Sequence, residues 1–252
     1  MADIFSSAKA VLRRANHHIT DLKSEINRIS PNEPYTHVIE QDAETGDYLQ
    51  ILRFNPNFSE DISCILFDAI NNLRSCLDQM TWAIATKHTG GSQDVVAHFP
   101  FASDASHWPN KINGLKNVPS EIRARFEGFK AYKGGNNTLW ALNYLANVKK
   151  HALLIPMWFG GTTVRIPAGS TVPPFAVTPK DRAKKDEIVI FRSKESPNAH
   201  PNIEITYRIV IDHPEEIIKS QPPVALLNTM RSEVAQILAT TENECRRIGL
   251  IV

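Results

Sequence analysis

The sequence predicts an α+β fold: four long helices that form a bundle, and an antiparallel β-sheet inserted mainly before the last helix. Apolar residues recur every three or four positions in four long segments, as on the buried face of an amphipathic helix. Between the third and fourth segments, short β-branched and aromatic runs alternate with Pro, Gly and Asn, which is typical of strands. No flexible linker or low-complexity tract interrupts residues 1–252, so we expect a single domain.

The four long helices are predicted at about residues 3–29, 58–88, 137–151 and 222–247. Gly90-Gly91 ends the second helix, and Pro222-Pro223 begins the last one. A short helix with Ser120 as its N-cap is expected between the second and third. The main apolar stripe of the second helix consists of Ile62, Leu66, Ala69, Leu73, Leu77, Met80 and Ile84.

The β-rich segments are predicted at about residues 35–54 and 153–212. The first contains two strand-like runs around a D-A-E-T-G-D turn, which predicts a hairpin. The second contains five short runs, E-I-V-I-F-R-S and N-I-E-I-T-Y-R-I-V-I-D among them. We expect the early hairpin to join the later sheet, which would unite both segments.

Composition excludes several classes of protein. The formal net charge is +1, which gives no global reason to bind nucleic acid or an anionic membrane, although a local basic patch is compatible with it. No run approaches the roughly 18 apolar residues of a membrane span. The N-terminal residues lack the apolar core of a signal peptide, so a reducing, cytoplasmic setting is expected.

No metal or cofactor is expected. The chain has three cysteines and none of them is in C-x-x-C spacing, which argues against a structural zinc site. His98 and His107 lie in or near loops and show no acidic partner at metal-ligand spacing.

Two lines of polar residues interrupt helices that otherwise have the character of a core. On the third helix, Asn143, Asn147, Lys150 and His151 fall within roughly a third of the circumference, opposite leucines and alanines. On the second helix, Asn71, Arg74 and Asp78 are spaced by three and four and share one face. We expect these two lines to face each other.

Three interpretations of the polar lines are open: a solvated face, a buried network that specifies packing, or a working site. In a working site, His151 could act as acid or base, because its ordinary pKa lies near neutrality. Arg74 suits phosphate or carboxylate, and Lys150 adds a second cation. Asp78 could orient either His151 or Arg74, and the asparagines could donate to a substrate oxygen.

Two segments carry a resemblance to a known family. N-L-R-S-C-L-D-Q-M-T-W-A-I-A and F-K-A-Y-K-G-G-N-N-T-L-W-A-L-N-Y-L-A-N-V-K-K-H-A-L-L-I-P resemble the N-L-R-S-x-L-D and L-x-x-L-x-N-x-x-K-H helices of a family of uncharacterised bacterial proteins. The resemblance covers roughly residues 60–155. It implies a common site on these two helices and no particular activity.

A second resemblance is to the HEPN superfamily, which comprises four-helix bundles, often dimers, several of which are metal-independent ribonucleases. Their motif places an Arg, a polar residue and, a few positions on, a His in one helix. Here N-V-K-K-H, residues 147–151, has the polar residue and the histidine at suitable spacing. Ala146 stands where the arginine belongs, and Arg74 could replace it only from another helix.

Two functions from different classes follow. The first is a HEPN-like, metal-independent processing of RNA or a nucleotide, with His151, Arg74 and Asp78 as candidate catalytic residues. Asn71, Asn143, Asn147 and Lys150 would then bind the substrate, and a homodimer is a further expectation from the resemblance. The alternative is a non-enzymatic binding or interaction module, in which the same cluster is structural or holds a small anion.

Overall fold

The computed structural model describes residues 3–29, 35–54, 58–91, 95–148, 157–165, 175–176, 187–194 and 204–252. Within this part of the chain, helices and strands follow in the order α1 (Ser6–Ile29), β1 (Tyr35–Gln41), β2 (Tyr48–Phe54), α2 (Phe58–His88), α3 (Trp108–Asn113), α4 (Ser120–Phe129), α5 (Asn137–Val148), β3 (Met157–Arg165), β4 (Phe175–Ala176), β5 (Glu187–Ser193), β6 (Glu204–Ile211) and α6 (Pro223–Arg247). The predicted α+β class is confirmed.

Helix α2 lies at the centre of the helical core. It packs against α1, α5 and α6 and also meets β3. Every residue of its predicted apolar stripe is fully buried, from Ile62 through Leu73 to Ile84. The helix ends where Gly90 and Gly91 adopt positive φ angles of 73° and 90°, a conformation that suits glycine because it has no Cβ.

Among the described residues, the strands form two antiparallel sheets, whereas we predicted a single sheet. One has the order β1-β2-β5 and the other β4-β3-β6. The early hairpin does join a later strand, because β2 pairs with β5. The register of this pair shifts between Gln50 and Ile51. The sequence pattern predicted strands but not their partners, since alternating apolar residues fit any antiparallel neighbour equally well.

The start of α4 corrects the prediction for Ser120. The N-cap is Pro119, with φ −51° and ψ 145°, and no side chain caps the helix. Ser120 is already the first helical residue, and its hydroxyl donates to the Glu121 carboxylate at 3.0 Å. Because proline fixes φ and its extended ψ is non-helical, Pro119 occupies the position that the serine was expected to take.

A capped turn fixes the start of α5. The Asn136 side-chain oxygen accepts the backbone N–H of Leu139 at 3.1 Å, as an N-cap does. Its side-chain nitrogen donates to Glu233 of α6 at 2.7 Å, which ties the start of α5 to α6. The predicted helix extended to residue 151; α5 is described to Val148, and Lys150 and His151 lie outside the described residues.

None of the helices in the described ranges combines the length and the apolar character that crossing a bilayer would require.

Candidate functional site

The polar line of α2 borders the surface on which α5 packs. Asn71, Arg74 and Asp78 are half-buried, whereas Leu73 and Leu77, on the other side of the helix, have no exposed surface. The side chains of Arg74 and Asp78 keep 23% and 18% of their surface exposed. This line is therefore neither a free solvated face nor a sealed interior network.

Arg74 joins the two helices. Its Nε donates to Oδ1 of Asn143 on α5 at 3.0 Å, and its Nη1 donates to Oδ2 of Asp78 at 3.0 Å. Its guanidinium carbon lies 5.5 Å from the centre of the Phe101 ring, within the range of a cation–π contact. Three neighbours on three different segments thus fix the plane of the guanidinium. The predicted juxtaposition of the α2 and α5 polar lines is present at this contact.

Asp78 anchors a loop as well as the arginine. Its second oxygen accepts the backbone N–H of Phe99 at 3.1 Å, while the Nδ1 of His98 lies 3.8 Å away. Of the two roles considered for this carboxylate, the described contacts show the orientation of Arg74. A carboxylate that already accepts from Arg74 and from a backbone amide is better suited to positioning than to taking a proton.

The asparagines of α5 continue the network towards solvent. Nδ2 of Asn147 donates to Oδ1 of Asn143 at 2.8 Å, so this oxygen accepts from both Asn147 and Arg74. Asn143 is half-buried and Asn147 is exposed. Asn71 lies one turn before Arg74 and takes no part in the hydrogen bonds described for the cluster. The remaining predicted site residues, Lys150 and His151, are outside the described ranges.

Among the described residues, some donors of Arg74 have no partner. A guanidinium has five N–H groups, and the described contacts of Arg74 use two of them. The remaining donors belong to a planar, permanently charged group that can engage two oxygens of a phosphate or carboxylate at once. The arrangement is therefore chemically able to bind an oxyanion, with its orientation set in advance by Asp78 and Asn143.

A second cluster contains the residue types of a hydrolase triad, Asp104, His107 and two serines, but its geometry differs from that of a triad. Nδ1 of His107 lies 2.9 Å from Asp104 and 3.2 Å from the hydroxyls of both Ser103 and Ser106. In a triad the carboxylate and the nucleophile contact opposite ring nitrogens, whereas here all three share one. Asp104 also accepts the backbone N–H groups of Ser106 and His107, so the cluster caps the turn that leads into α3.

The same cluster pairs His107 with a carboxylate that the sequence analysis did not single out. The carboxylate of Asp104, three residues earlier, is in direct contact with the ring. Hydrogen bonds from Ser106, His107 and Ser103 hold the pKa of Asp104 well below its usual range. The sequence signal for this contact is the spacing of Asp104 and His107, since residues three positions apart lie close together at the start of a helix.

His213 is a buried polar residue that the sequence did not single out. Its Nδ1 accepts the backbone N–H of Glu215 at 3.1 Å, and its ring stands edge-on to Tyr144 of α5 with centroids 5.5 Å apart. It follows a strand and precedes a proline, a context without any sequence signal for a site.

A cleft of about 790 Å³ lies elsewhere, where the start of α1 meets the end of α6. Four of its charged side chains pair with one another: Lys9 contacts Asp3 and Glu242, each at 2.9 Å, and Arg246 contacts Glu242 at 2.6 Å. These contacts lower the pKa of Asp3 and raise that of Lys9. These four charges compensate one another, and Lys87 also lines the cleft.

Within the described ranges, no three His, Cys, Asp or Glu side chains are grouped closely enough to hold a metal ion. Comparison with protein-family models, curated proteins and solved structures finds no match to this chain.

Proposed function

We propose that this chain binds the phosphate of an RNA or nucleotide at the α2–α5 edge and processes it without a metal ion. The observation that supports this most is the held guanidinium of Arg74, which is oriented from three sides and still 23% exposed. Holding a cation in place before the ligand arrives lowers the entropy that binding costs. The HEPN resemblance of residues 147–151 supports the choice of RNA.

In this proposal each residue of the cluster has one task. Arg74 binds two phosphate oxygens, and Asp78 positions Arg74. Asn71, Asn143 and Asn147 offer amide donors to the sugar or the base.

The two residues outside the described ranges complete the site. Lys150 adds positive charge beside the phosphate. His151, three positions beyond the described end of α5, acts as acid or base because an imidazole titrates near neutral pH.

In the proposed reaction one oxygen–phosphorus bond forms, another breaks, and one proton passes from the attacking hydroxyl to the leaving oxygen. The 2′-hydroxyl oxygen of a ribose bonds to the adjacent phosphorus, and the bond from phosphorus to the 5′-oxygen of the next nucleotide breaks. His151 takes the proton of the hydroxyl or protonates the leaving oxygen. The products are a 2′,3′-cyclic phosphate and a 5′-hydroxyl, so no water is consumed.

The test is cleavage of single-stranded RNA in the presence of a chelator. Wild-type protein is expected to produce cyclic-phosphate ends, and His151→Ala is expected to be slower by a factor of about 10² or more, the usual contribution of an acid–base residue. His17→Ala is the matched control, because His17 is an exposed histidine on α1. Equal cleavage by wild type and His151→Ala, or none by either, would remove the proposal.

A second candidate function is a binding or interaction module with a structural cluster. The bond from the Phe99 amide to Asp78 favours it, since Asp78 thereby fixes the loop after α2 whether or not a substrate exists. In this case neither wild type nor Arg74→Lys would cleave RNA or bind inorganic phosphate, and the substitution would change stability alone. In the enzyme, Arg74→Lys would weaken phosphate binding, because lysine cannot reproduce a two-pronged contact.

A further inference from the structure

An exposed tryptophan extends the polar face of α2 beyond Asp78. Trp82 lies one helical turn after Asp78, and together with Asn71 and Arg74 these residues fall within a sector of about 80°. The side chain of Trp82 is 52% exposed, whereas Trp108 and Trp140 are each only 6% exposed. Leaving a large aromatic surface in water is costly, so its position beside the cluster calls for an explanation.

The loop after α2 returns along the same face of the helix. Phe99 is bonded to Asp78, and the Phe101 ring lies against Arg74, one turn earlier in the helix. Residue numbers therefore increase along the loop in the direction in which they decrease along α2, so the loop runs antiparallel to the helix. Two extended residues advance by about 6.6 Å and one helical turn by about 5.4 Å. If this alignment continues, we expect residues 96–98 to lie beside Trp82.

The outward side chains of this loop add to the exposed strip. Val95, Ala97 and Phe99 are buried, while Val96 is 78% exposed and His98 is 69% exposed. The alternation shows that the loop turns every second side chain away from the core. With this alignment, Trp82, Val96 and His98 are expected to form one exposed strip that continues from the Arg74 cluster.

We infer that Trp82 is a stacking platform for an unpaired base of a nucleic-acid strand whose phosphate lies on Arg74. The inference rests on the proposed function and adds its substrate class: single-stranded RNA, not duplex. Arg74 and Trp82 are two helical turns apart, about 12 Å along the axis, a length that an extended dinucleotide spans. A flat indole accepts the face of any base, so the platform selects unpaired strands and not a sequence.

The size of the strip favours a base over a protein partner. Among the described residues, exposed large apolar side chains are limited to Trp82, Val96, Phe191 and Val252, and two of these are in the strip. A stable protein interface covers roughly 1,200 Å² or more in total and has a central apolar core. The apolar surface of one indole and one valine is too small for such a core. The indole ring alone has the size and flatness of a nucleobase. The guanidinium of Arg74, about 12 Å away along the axis of α2, complements the phosphate.

The experiment measures binding of a fluorescein-labelled 2′-O-methyl oligonucleotide, which cannot be cleaved, at one fixed salt concentration. Trp82→Ala is expected to weaken binding about tenfold, the effect of losing one stacked base. Trp82→Phe should retain most of the affinity. Phe191→Ala is the matched control, since Phe191 is an exposed aromatic residue, 40% exposed, on β5. The same strand annealed to its complement should bind more weakly than the single strand.

A spectroscopic readout separates stacking from a structural role. Addition of the single strand should quench tryptophan fluorescence in wild type, and the quenching should disappear in Trp82→Phe while binding persists. Equal affinity of wild type and Trp82→Ala, equal binding of single strand and duplex, or no binding by wild type would each overturn the inference.

The two proposals can fail separately. Binding that depends on Trp82 without any RNA cleavage would leave the platform intact and remove the enzyme. Cleavage that depends on His151 but is unaffected by Trp82→Ala would leave the enzyme and remove the platform.

Discussion

Arg74 takes part in folding and in the proposed chemistry through different hydrogen-bond donors. Nε and Nη1 contact Asn143 and Asp78, which holds α5 against α2. The remaining donors are the ones assigned to phosphate. A single substitution therefore tests both roles at once, and the two must be separated by measuring stability as well as activity.

Arg74→Ala is expected to lower the free energy of unfolding by about 1–2 kcal/mol, since it removes two hydrogen bonds that a partly exposed cation donates. The loss stays moderate because Asp78 keeps its bond from Phe99 and 18% of its side chain remains open to water. Urea denaturation measures the change. Arg14→Ala, at an exposed position on α1, should change stability by less than about 0.5 kcal/mol. A loss equal to that of the control would show that the contacts of Arg74 do not support the fold.

Parts of the site could be predicted from residue spacing and parts could not. The meeting of Arg74 with Asn143 followed from two polar lines on helices that each had a packed side. The bond from Phe99 to Asp78 did not, because a backbone N–H carries no mark in the sequence. Trp82 lies on the same face of α2 as the predicted polar line, but a tryptophan in a helix is as consistent with the core as with the surface. The roles of Lys150 and His151 stay predictions.

The position of α5 depends on a tightly folded connection from α4. Lys130 ends α4 in a left-handed conformation with φ 50°, and its carbonyl accepts the N–H groups of both Tyr132 and Asn136 at 2.7 Å. The chain thus closes a compact loop just before the cap of α5. A Cβ on Gly135 would lie 2.5 Å from the Lys130 oxygen and 2.8 Å from the Tyr132 ring.

Gly135→Ala is therefore expected to destabilise the protein by about 1–3 kcal/mol, because a backbone carbonyl cannot move aside as a side chain can. Gly128→Ala is the matched change in the neighbouring helix α4, where an added Cβ meets no atom within 4 Å. It should be neutral or stabilising by up to about 1 kcal/mol, since alanine favours a helix more than glycine does. Thermal unfolding of both variants gives the comparison, and similar effects would contradict the steric argument.

Helices and strands in which apolar residues recur at a regular spacing could be predicted from the sequence. The strand that each strand pairs with could not. The apolar stripe of α2 and the strands of the β1–β2 hairpin followed from spacing alone. The division into two sheets depends on which edges meet, and neither β5 nor β6 carries a feature that selects its neighbour. The exact ends of helices were also hard to predict: the N-cap of α4 is Pro119 and not Ser120, one residue earlier than expected.

At the scale of the whole molecule, α2 makes the helical core one continuous structure. It contacts α1 along its length and reaches α5 and α6 on other faces. Cys76 on α2 and Cys245 on α6 are both fully buried in this core, whereas Cys64, nearer the start of α2, is exposed. The three thiols therefore report on different parts of the same fold.

A thiol-labelling experiment tests whether this core opens as a unit. Burial raises the pKa of both Cys76 and Cys245 to about 12, so at pH 8 almost none of either thiol is the reactive thiolate, and neither is accessible. Native protein should therefore take up one maleimide per chain, at Cys64, and fully unfolded protein should take up three.

As urea increases, Cys76 and Cys245 should become reactive together, because α2 and α6 share the same buried core and would open only with it. Mass spectrometry of labelled peptides at each urea concentration separates the two sites, and the far-ultraviolet circular dichroism of the same samples gives the loss of helix. Labelling of Cys245 well before Cys76 would mean that α6 detaches by itself. The Asn136–Glu233 bond between α5 and α6 would then contribute little to the stability of the helical core.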